Sequence, residues 1–333
     1  MNIDNFYEVL KDEPAYRLKQ AQKLLFGDLI NDWNQASNLP LVLRAKLNLE
    51  CPLAIKAKVL AARDKKSFKA LITLTDGAKI ETVLMRHKEG RDTVCLSAQV
   101  GCPLGCAFCA TGASGFTRNL SKNEIIEQAL FWARYLKTNF KSKITNIVFM
   151  GMGEPFLNYD QVLSAIRVLN DPDGLHLGAR HISISTVGLV DGIKRLAKEK
   201  IQVNLAVSLH SASDKIRSDL MPINKKYSIS QLLRAVDYYI EKTNRQVMFE
   251  YMLMKNVNDS EEAAEKLATI MNKPLYVVNL MNYNETAVFR PVDEPVFKNF
   301  EKILIKRKIK VTSRYRFGSD IAAACGQLAA RSQ

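Results

Sequence analysis

The sequence predicts an α/β protein in which a parallel sheet curls into a complete or partial (β/α) barrel, behind a helical N-terminal module. Three observations predict it. Short β-branched apolar runs alternate regularly with helical apolar spacing from residue 121 onward, with "TVCLSAQ" as an earlier first strand. Residues 4–50 carry only helical patterns, and residues 54–86 only β-like ones. Successive strand–helix units place their strands in parallel, and right-handed crossovers wind such strands into one layered body.

Taken in order, "AYRLKQAQKLLFGDLINDW" is the clearest early helix, and the helical part ends in a Pro-bounded segment. Residues 1–50 form a helical accessory domain on this reading. Residues 51–90 form a connector with strands in "IKAKVLAAR", "SFKALITLT" and "KIETVLMRH", and residues 91–333 form the barrel. "SKNEIIEQALFWARYLKT" opens with the capping box Ser121 and Glu124 and leads into the strand "ITNIVFM". The alternation continues through helix "YDQVLSAIRVLN", strand "HISIST", helix "VDGIKRLAKE" and strand "QVNLAVSLH". Helix "ISQLLRAVDYYIEKT", strand "QVMFEYMLM", helix "SEEAAEKLATIMN" and strand "LYVVNLM" follow. Helix "EPVFKNFEKILIKR", strand "KVTSRYR" and a final short helix in "DIAAACGQLAAR" complete it.

Composition narrows the function classes. No apolar run approaches the ~18 residues that span a bilayer. The N-terminal "MNIDNFYEVLKDEP" lacks the basic start and apolar run of a secretion signal, so a cytoplasmic protein with no membrane partner is expected. Six cysteines in 333 residues are too sparse for a disulfide scaffold. The 48 Lys and Arg exceed the 34 Asp and Glu by 14, with clusters in "KAKVLAARDKKSFK", "INKKYS", "KRKIK" and "SRYRF". Such a surplus favours a polyanion, nucleic acid first.

Half of the cysteines stand together. Cys102, Cys106 and Cys109 have the spacing C-x3-C-x2-C, with Phe108 before the last. Zinc sites usually show two pairs of ligands or nearby histidines, and the nearest preceding histidine here is His87. Three thiolates instead suit a [4Fe–4S] cluster with one iron left open to chelate a small molecule. The spacing resembles the signature of radical S-adenosylmethionine (SAM) enzymes. A zinc-stabilised, non-catalytic RNA-binding module is the alternative from another class. Further polar residues recur where barrel loops carry function, at the carboxyl ends of strands. They are Gly151, Gly153 and Glu154 in "GMGEP", Ser185 in "SIST", Ser208, Leu209 and His210 in "SLH", and Asn284 in "NLMNYN". A single Ser or His there is more often a hydrogen-bonded core residue, but the recurrence argues for a site.

Together these residues resemble the RlmN/Cfr family of radical SAM RNA adenine methyltransferases. The carrying motifs are "IETVLM", "CLSAQVGCPLGCAFCATG", "GFTRNLS", "GMGEP", "ISIST", "VSLH", "MPINKKY", "NVND" and "DIAAACGQL". The resemblance implies an incomplete (β/α) barrel of radical SAM type with an accessory N-terminal domain. It places the cluster on Cys102, Cys106 and Cys109, and SAM on Gly153, Glu154, Ser185, Ser208, Leu209, His210 and Asn284. The chain departs from the family at "YNE", where "NP" is common. Cys325 matches the methyl-carrying cysteine, Cys95 the resolving thiol and Glu81 the proton acceptor, whereas Cys51 matches no role and is taken as structural.

The implied chemistry uses two SAM molecules per turnover, one to methylate Cys325 and one cleaved to start the radical step. Cys95 then releases the product by a transient disulfide with Cys325. The implied partners are 23S rRNA, tRNA with an adenosine next to the anticodon, and an electron donor such as flavodoxin or ferredoxin, with the enzyme a monomer. Pro155 after "GMGE" favours the carbon-2 branch over the carbon-8 branch that protects ribosomes from antibiotics.

Overall fold

A computed structural model of the chain describes residues 1–285, 288–313 and 318–329. The N-terminal part holds helices α1 (Ile3–Leu10), α2 (Ala15–Gln22) and α3 (Leu41–Glu50). Asn2 caps α1 by accepting from the backbone of Asp4 and Asn5. The long helix expected at 15–33 is shorter: after Gln22 the backbone widens into a π turn over Lys23–Gly27, and Leu29 takes φ +57°. That break turns Trp33 inward, where it stacks on Phe6 at 5.8 Å and donates from Nε1 to the Cys51 carbonyl at 2.8 Å. Burying indole and ring together favours this turn over helix continuation. Ile3, Phe6, Trp33 and Cys51 belong to the same apolar core as the barrel strands.

Strands β1 (Lys56–Ala61), β2 (Ser67–Thr73), β3 (Lys79–Arg86) and β4 (Asp92–Cys95) form an antiparallel meander. The expected strand at 93–99 ends early, at Cys95. Its remainder becomes β5 (Gln99–Gly101), which pairs with β6 (Phe116–Asn119) in a ribbon that brackets the cysteine loop. From β4 the sheet runs parallel through β7 (Asn146–Phe149), β8 (Ile182–Thr186), β9 (Asn204–Ser208), β10 (Val247–Leu253), β11 (Tyr276–Asn282) and β12 (Val311–Ser313). Among the described residues the sheet has ten strands, with β1 and β12 at its two open edges, so the barrel is incomplete.

The helices follow the sequence closely. α4 (Ala110–Ala113) is one turn after the cysteines, and α5 (Lys122–Phe140) starts at the expected Ser121/Glu124 capping box. α6 (Tyr159–Asn170), α7 (Val190–Leu196), α8 (Asp214–Leu220), α9 (Ile229–Thr243), α10 (Glu261–Ile270) and α11 (Glu294–Lys306) cover the sheet. α8 was not expected. No described helix is long and apolar enough to cross a membrane.

The Ala-rich stretch after Gly318 is not the expected helix. A 3-10 turn spans Ser319–Ile321, and Ala322 (φ +49°) and Gly326 (φ +83°) stop it there. Its backbone bonds go elsewhere: Gly326 O accepts from Ala110 N, Leu328 O from Thr111 Oγ1, and Ala329 N donates to Glu81 Oε2. Tertiary partners thus replace the helical ladder. Residues 314–317 of "KVTSRYR" and "SRYRF", and 330–331 of the expected last helix, lie outside the described residues.

Candidate active site

The loop between β5 and α4 carries Cys102, Cys106 and Cys109. Its shape depends on Gly101, at φ +77°, where a Cβ would fall 2.0 Å from the Gly115 carbonyl oxygen. Cys102 N donates to that same carbonyl at 2.8 Å and Cys109 N to the Cys106 carbonyl at 3.0 Å. Phe108 packs edge-on against the His210 ring at 4.9 Å, and Tyr283 Oη donates to the Phe108 carbonyl at 3.2 Å. All three thiols face one cavity of about 150 Å³ at the carboxyl ends of the barrel strands.

The opposite walls come from successive strand ends. Gly153 and Glu154 follow β7, Ser185 is the last residue but one of β8, Ser208 ends β9 and His210 follows it, all lining the cavity with Cys325. Gly153 sits at φ +92°, and a Cβ there would lie 2.4 Å from the Gln99 Cβ. Glu154 is buried; its Oε1 accepts from Phe156 N at 3.0 Å and its Oε2 from Val187 N at 2.9 Å. Burial raises its carboxyl to about 7, opposed by the bonds from Val187, Phe156 and Thr186. His210, at φ +54°, accepts at Nδ1 from Met252 N at 3.2 Å. Burial, then the neighbouring Arg217, pulls its imidazole down to about 3, so it is neutral at physiological pH. Asn258 secures the His210 backbone, donating from Nδ2 to the His210 carbonyl at 2.7 Å and to the Met252 carbonyl at 2.8 Å.

Glu81, Cys95, Leu209 and Asn284 are not part of the cavity wall. Leu209 is fully buried, and its carbonyl accepts from Arg217 Nε at 3.2 Å. Asn284 donates from Nδ2 to the Cys325 carbonyl at 3.4 Å, and its buried Oδ1 has no hydrogen-bond partner among the described residues. Cys95 ends β4, and its carbonyl accepts from Thr82 Oγ1 at 2.7 Å. Glu81 is buried in an ion pair with Lys69 at 2.9 Å. Cys325 itself is exposed, on the segment stitched to Ala110 and Thr111.

Sequence reasoning missed two buried charges beside the cavity, Arg217 and Glu250. Arg217, from the unexpected α8, donates to the carbonyls of Val187, Ser208 and Leu209 and to Asn224 Oδ1. Glu250, on β10, lines the cavity with its Oε2 accepting from Asn279 Nδ2 at 2.5 Å. A charged residue inside an otherwise apolar strand run, "VMFEYML", was the available signal for the second.

The donor set fits an iron–sulfur cluster. Three soft thiols on one loop leave a coordination position toward the cavity. Burial pushes Cys102 up to about 11 and Cys106 higher still, so metal must displace the protons as it binds. Across the cavity, the Glu154 carboxylate, the Ser185 and Ser208 positions and the Gly153 backbone suit an amino acid-like cationic ligand.

The chain's similarities agree with this geometry. The Radical SAM superfamily pattern matches residues 96–268. A Carboxydothermus hydrogenoformans protein described as "Probable dual-specificity RNA methyltransferase RlmN" is 43% identical over 338 residues, covering 99% of this chain and 97% of that protein. A Dictyoglomus thermophilum protein of the same description is 44% identical, covering 99% and 95%. The crystal structure of a radical SAM methyltransferase from Sphaerobacter thermophilus superposes with a TM-score of 0.95 at 42% identity, over 99% of this chain and 98% of that one.

Proposed function

The chain belongs to the RlmN family of dual-specificity RNA methyltransferases, within the radical SAM superfamily, and on that premise we propose how its residues divide the work. It is an enzyme that methylates carbon 2 of adenine in ribosomal and transfer RNA, using a [4Fe–4S] cluster and SAM. The targets in this reading are one adenosine of 23S rRNA and one beside the tRNA anticodon. The observation that carries the assignment of residues is the shared cavity, which gathers the three cluster cysteines, the strand-end polar residues and Cys325.

Cys102, Cys106 and Cys109 hold the cluster. Gly153, Glu154, Ser185, Ser208 and His210 form the SAM pocket, with Leu209 and Asn284 shaping it from behind through backbone and amide bonds. When bound, the cluster supplies the single electron that splits SAM and opens a radical route to an electron-poor carbon that polar methyl transfer does not reach. Cys325 presents the methyl group, one SAM having methylated it and a second serving the radical step. Glu81 takes the ring proton. Cys95 then attacks the Cys325 sulfur as a thiolate, and the sulfur–carbon bond breaks as the disulfide forms. The departing carbon keeps that electron pair and takes up a proton to become the methyl group of the product, and reductant reopens the disulfide.

Glu154 holds the ammonium end of SAM in this pocket. Its backbone-held carboxylate offers remaining lone pairs to the SAM ammonium, and a cation there restores the charge that burial opposes. Residues 1–50 are the RNA-contacting domain in this reading, presenting Tyr16, Leu41, Val42 and Leu49 with Lys19 and Lys46 to solvent. The adenine must be unstacked before it enters the cavity. A flavodoxin or ferredoxin as donor, and action as a cytoplasmic monomer, complete the proposal.

The test is nucleoside mass spectrometry of unmodified 23S rRNA and tRNA after treatment with reconstituted enzyme, SAM and reductant. 2-Methyladenosine in both is expected. 8-Methyladenosine would move the chain to the carbon-8 branch, and SAM cleavage with no methylated adenosine in either RNA would overturn the reading.

A further inference from the structure

We propose that Lys69 and Glu81 form a clasp that grips the Cys325-bearing segment at both flanks, making Lys69 a positioning residue for the thiol. The strand register brings the parts together. Lys69 lies opposite Val83, Val83 opposite Cys95, and Glu81 opposite Leu71. Lys69, Val83 and Cys95 therefore form one cross-strand row, and Glu81 is the next residue of β3 on the same face. Diagonal neighbours on a sheet face are within reach of long side chains. Lys69 Nζ and Glu81 Oε1 meet at 2.9 Å, with side-chain exposures of 6% and 4%.

Each partner then uses its remaining capacity on the same short segment. Lys69 Nζ donates to the Ala322 carbonyl at 3.3 Å, and Glu81 Oε2 accepts from Ala329 N at 2.9 Å. Cys325 lies between those two anchors. Just ahead of them, Asp320 Oδ2 accepts from Arg63 N at 2.8 Å. The segment is not helical, so its backbone groups need outside partners, and the ion pair provides them. An apolar pair of similar volume would often serve stability as well as a buried ion pair. It would offer nothing to Ala322 or Ala329, and that difference accounts for the charges.

The inference rests on Cys325 being the methyl carrier, but its central measurement does not. The holoenzyme carrying Lys69→Met is compared with the native chain by hydrogen exchange of backbone amides. Because a lone buried carboxylate can unfold the meander, Lys69→Met/Glu81→Gln is measured beside it: it drops the Ala322 contact while leaving no unpaired charge. Amides of residues 320–329 are expected to exchange about tenfold faster, one hydrogen bond's worth of local opening, with the barrel strands unchanged. In Lys69→Met, where Glu81 is retained, the SAM cleaved per adenosine methylated should rise, and Lys69→Arg should restore both values toward native; the double variant is read by exchange alone. Native exchange in 320–329 in both variants, or equal acceleration across the whole barrel, would overturn the clasp. Local acceleration with native coupling would uphold the clasp and tell instead against Cys325 as the carrier.

Discussion

Replacing Arg217 by Met is expected to weaken SAM binding even where the protein stays folded. Arg217 is about 1% exposed, and among the described residues its guanidinium pairs with no carboxylate; it serves the carbonyls of Val187, Ser208 and Leu209 and the Asn224 side-chain oxygen. Burial pulls it from 12.5 down to about 10, a desolvation cost of about 3 kcal/mol that the variant escapes. Against that, the Val187 and Ser208 carbonyls and Asn224 Oδ1 lose their Arg217 donor, at about 1–3 kcal/mol each. Leu209 O keeps the Ser211 amide. Offsetting one against the other leaves a destabilisation of at most about 6 kcal/mol. The local effect has no such offset: Val187 also donates to Glu154, and Ser208 lines the cavity. Relaxing both should weaken SAM binding about tenfold, or ~1.4 kcal/mol. Urea unfolding and equilibrium dialysis of SAM with reconstituted protein measure the two quantities. Lys at this position keeps the charge but cannot fork to Val187 and Asn224 together, so it should bind SAM as weakly as Met. Native SAM affinity in a folded but destabilised variant would refute the reasoning and leave Arg217 a strut.

Three further outcomes are expected. Cys95→Ala should still attack adenine and then stall as a thioether-linked protein–RNA conjugate, visible on a denaturing gel and resistant to thiols, whereas Cys325→Ala should give neither conjugate nor product. Gly153→Ala combines φ +92° with a Cβ 2.4 Å from Gln99, so it should lose about 2 kcal/mol and most SAM affinity, both measurable by the same assays. His210 has a folded value of about 3 against 6.5 when unfolded; its neutral form is held by the fold, so its stabilisation is complete above pH 6.5 and is lost as pH falls toward 3. His210→Asn should therefore show an acid loss smaller by about 2–3 kcal/mol between pH 6.5 and 4.5 in urea titrations, and parallel profiles would contradict the assignment.

The parts of this molecule legible in sequence are those whose physics is local. The cysteine spacing is fixed by one loop, the Ser121/Glu124 box caps its own helix, and α6 and α9 run over the residues that their periodicity marked. Strand ends announced Glu154, Ser185 and Ser208 because glycines and small polar residues interrupt apolar runs there. Leu209 shows the limit of that signal, since its motif reaches the site through a carbonyl while its side chain enters the core. Lys69 and Arg217 were illegible because the groups that explain them are remote in sequence: Ala322 lies 253 positions from Lys69, and Val187 lies 30 from Arg217. The Ala-rich run at 321–324 had helical propensity, and contacts of similar remoteness overrode it.

Those long spans also order events in time. Glu81 meets Ala329 across 248 residues and Arg63 meets Asp320 across 257. Closing such loops costs only about 0.6 kcal/mol more than closing loops half as long, so the distance slows assembly without much weakening it. During synthesis the thiol loop at 102–109 and most barrel strands emerge from the ribosome well before residue 325. A nascent chain therefore owns the three cysteines proposed to hold the cluster while Cys325, the proposed methyl carrier, has not yet been made. Docking of the 320–329 segment onto β2 and β3 is then a late step of folding, and the reactive apparatus becomes whole only after the scaffold that confines it.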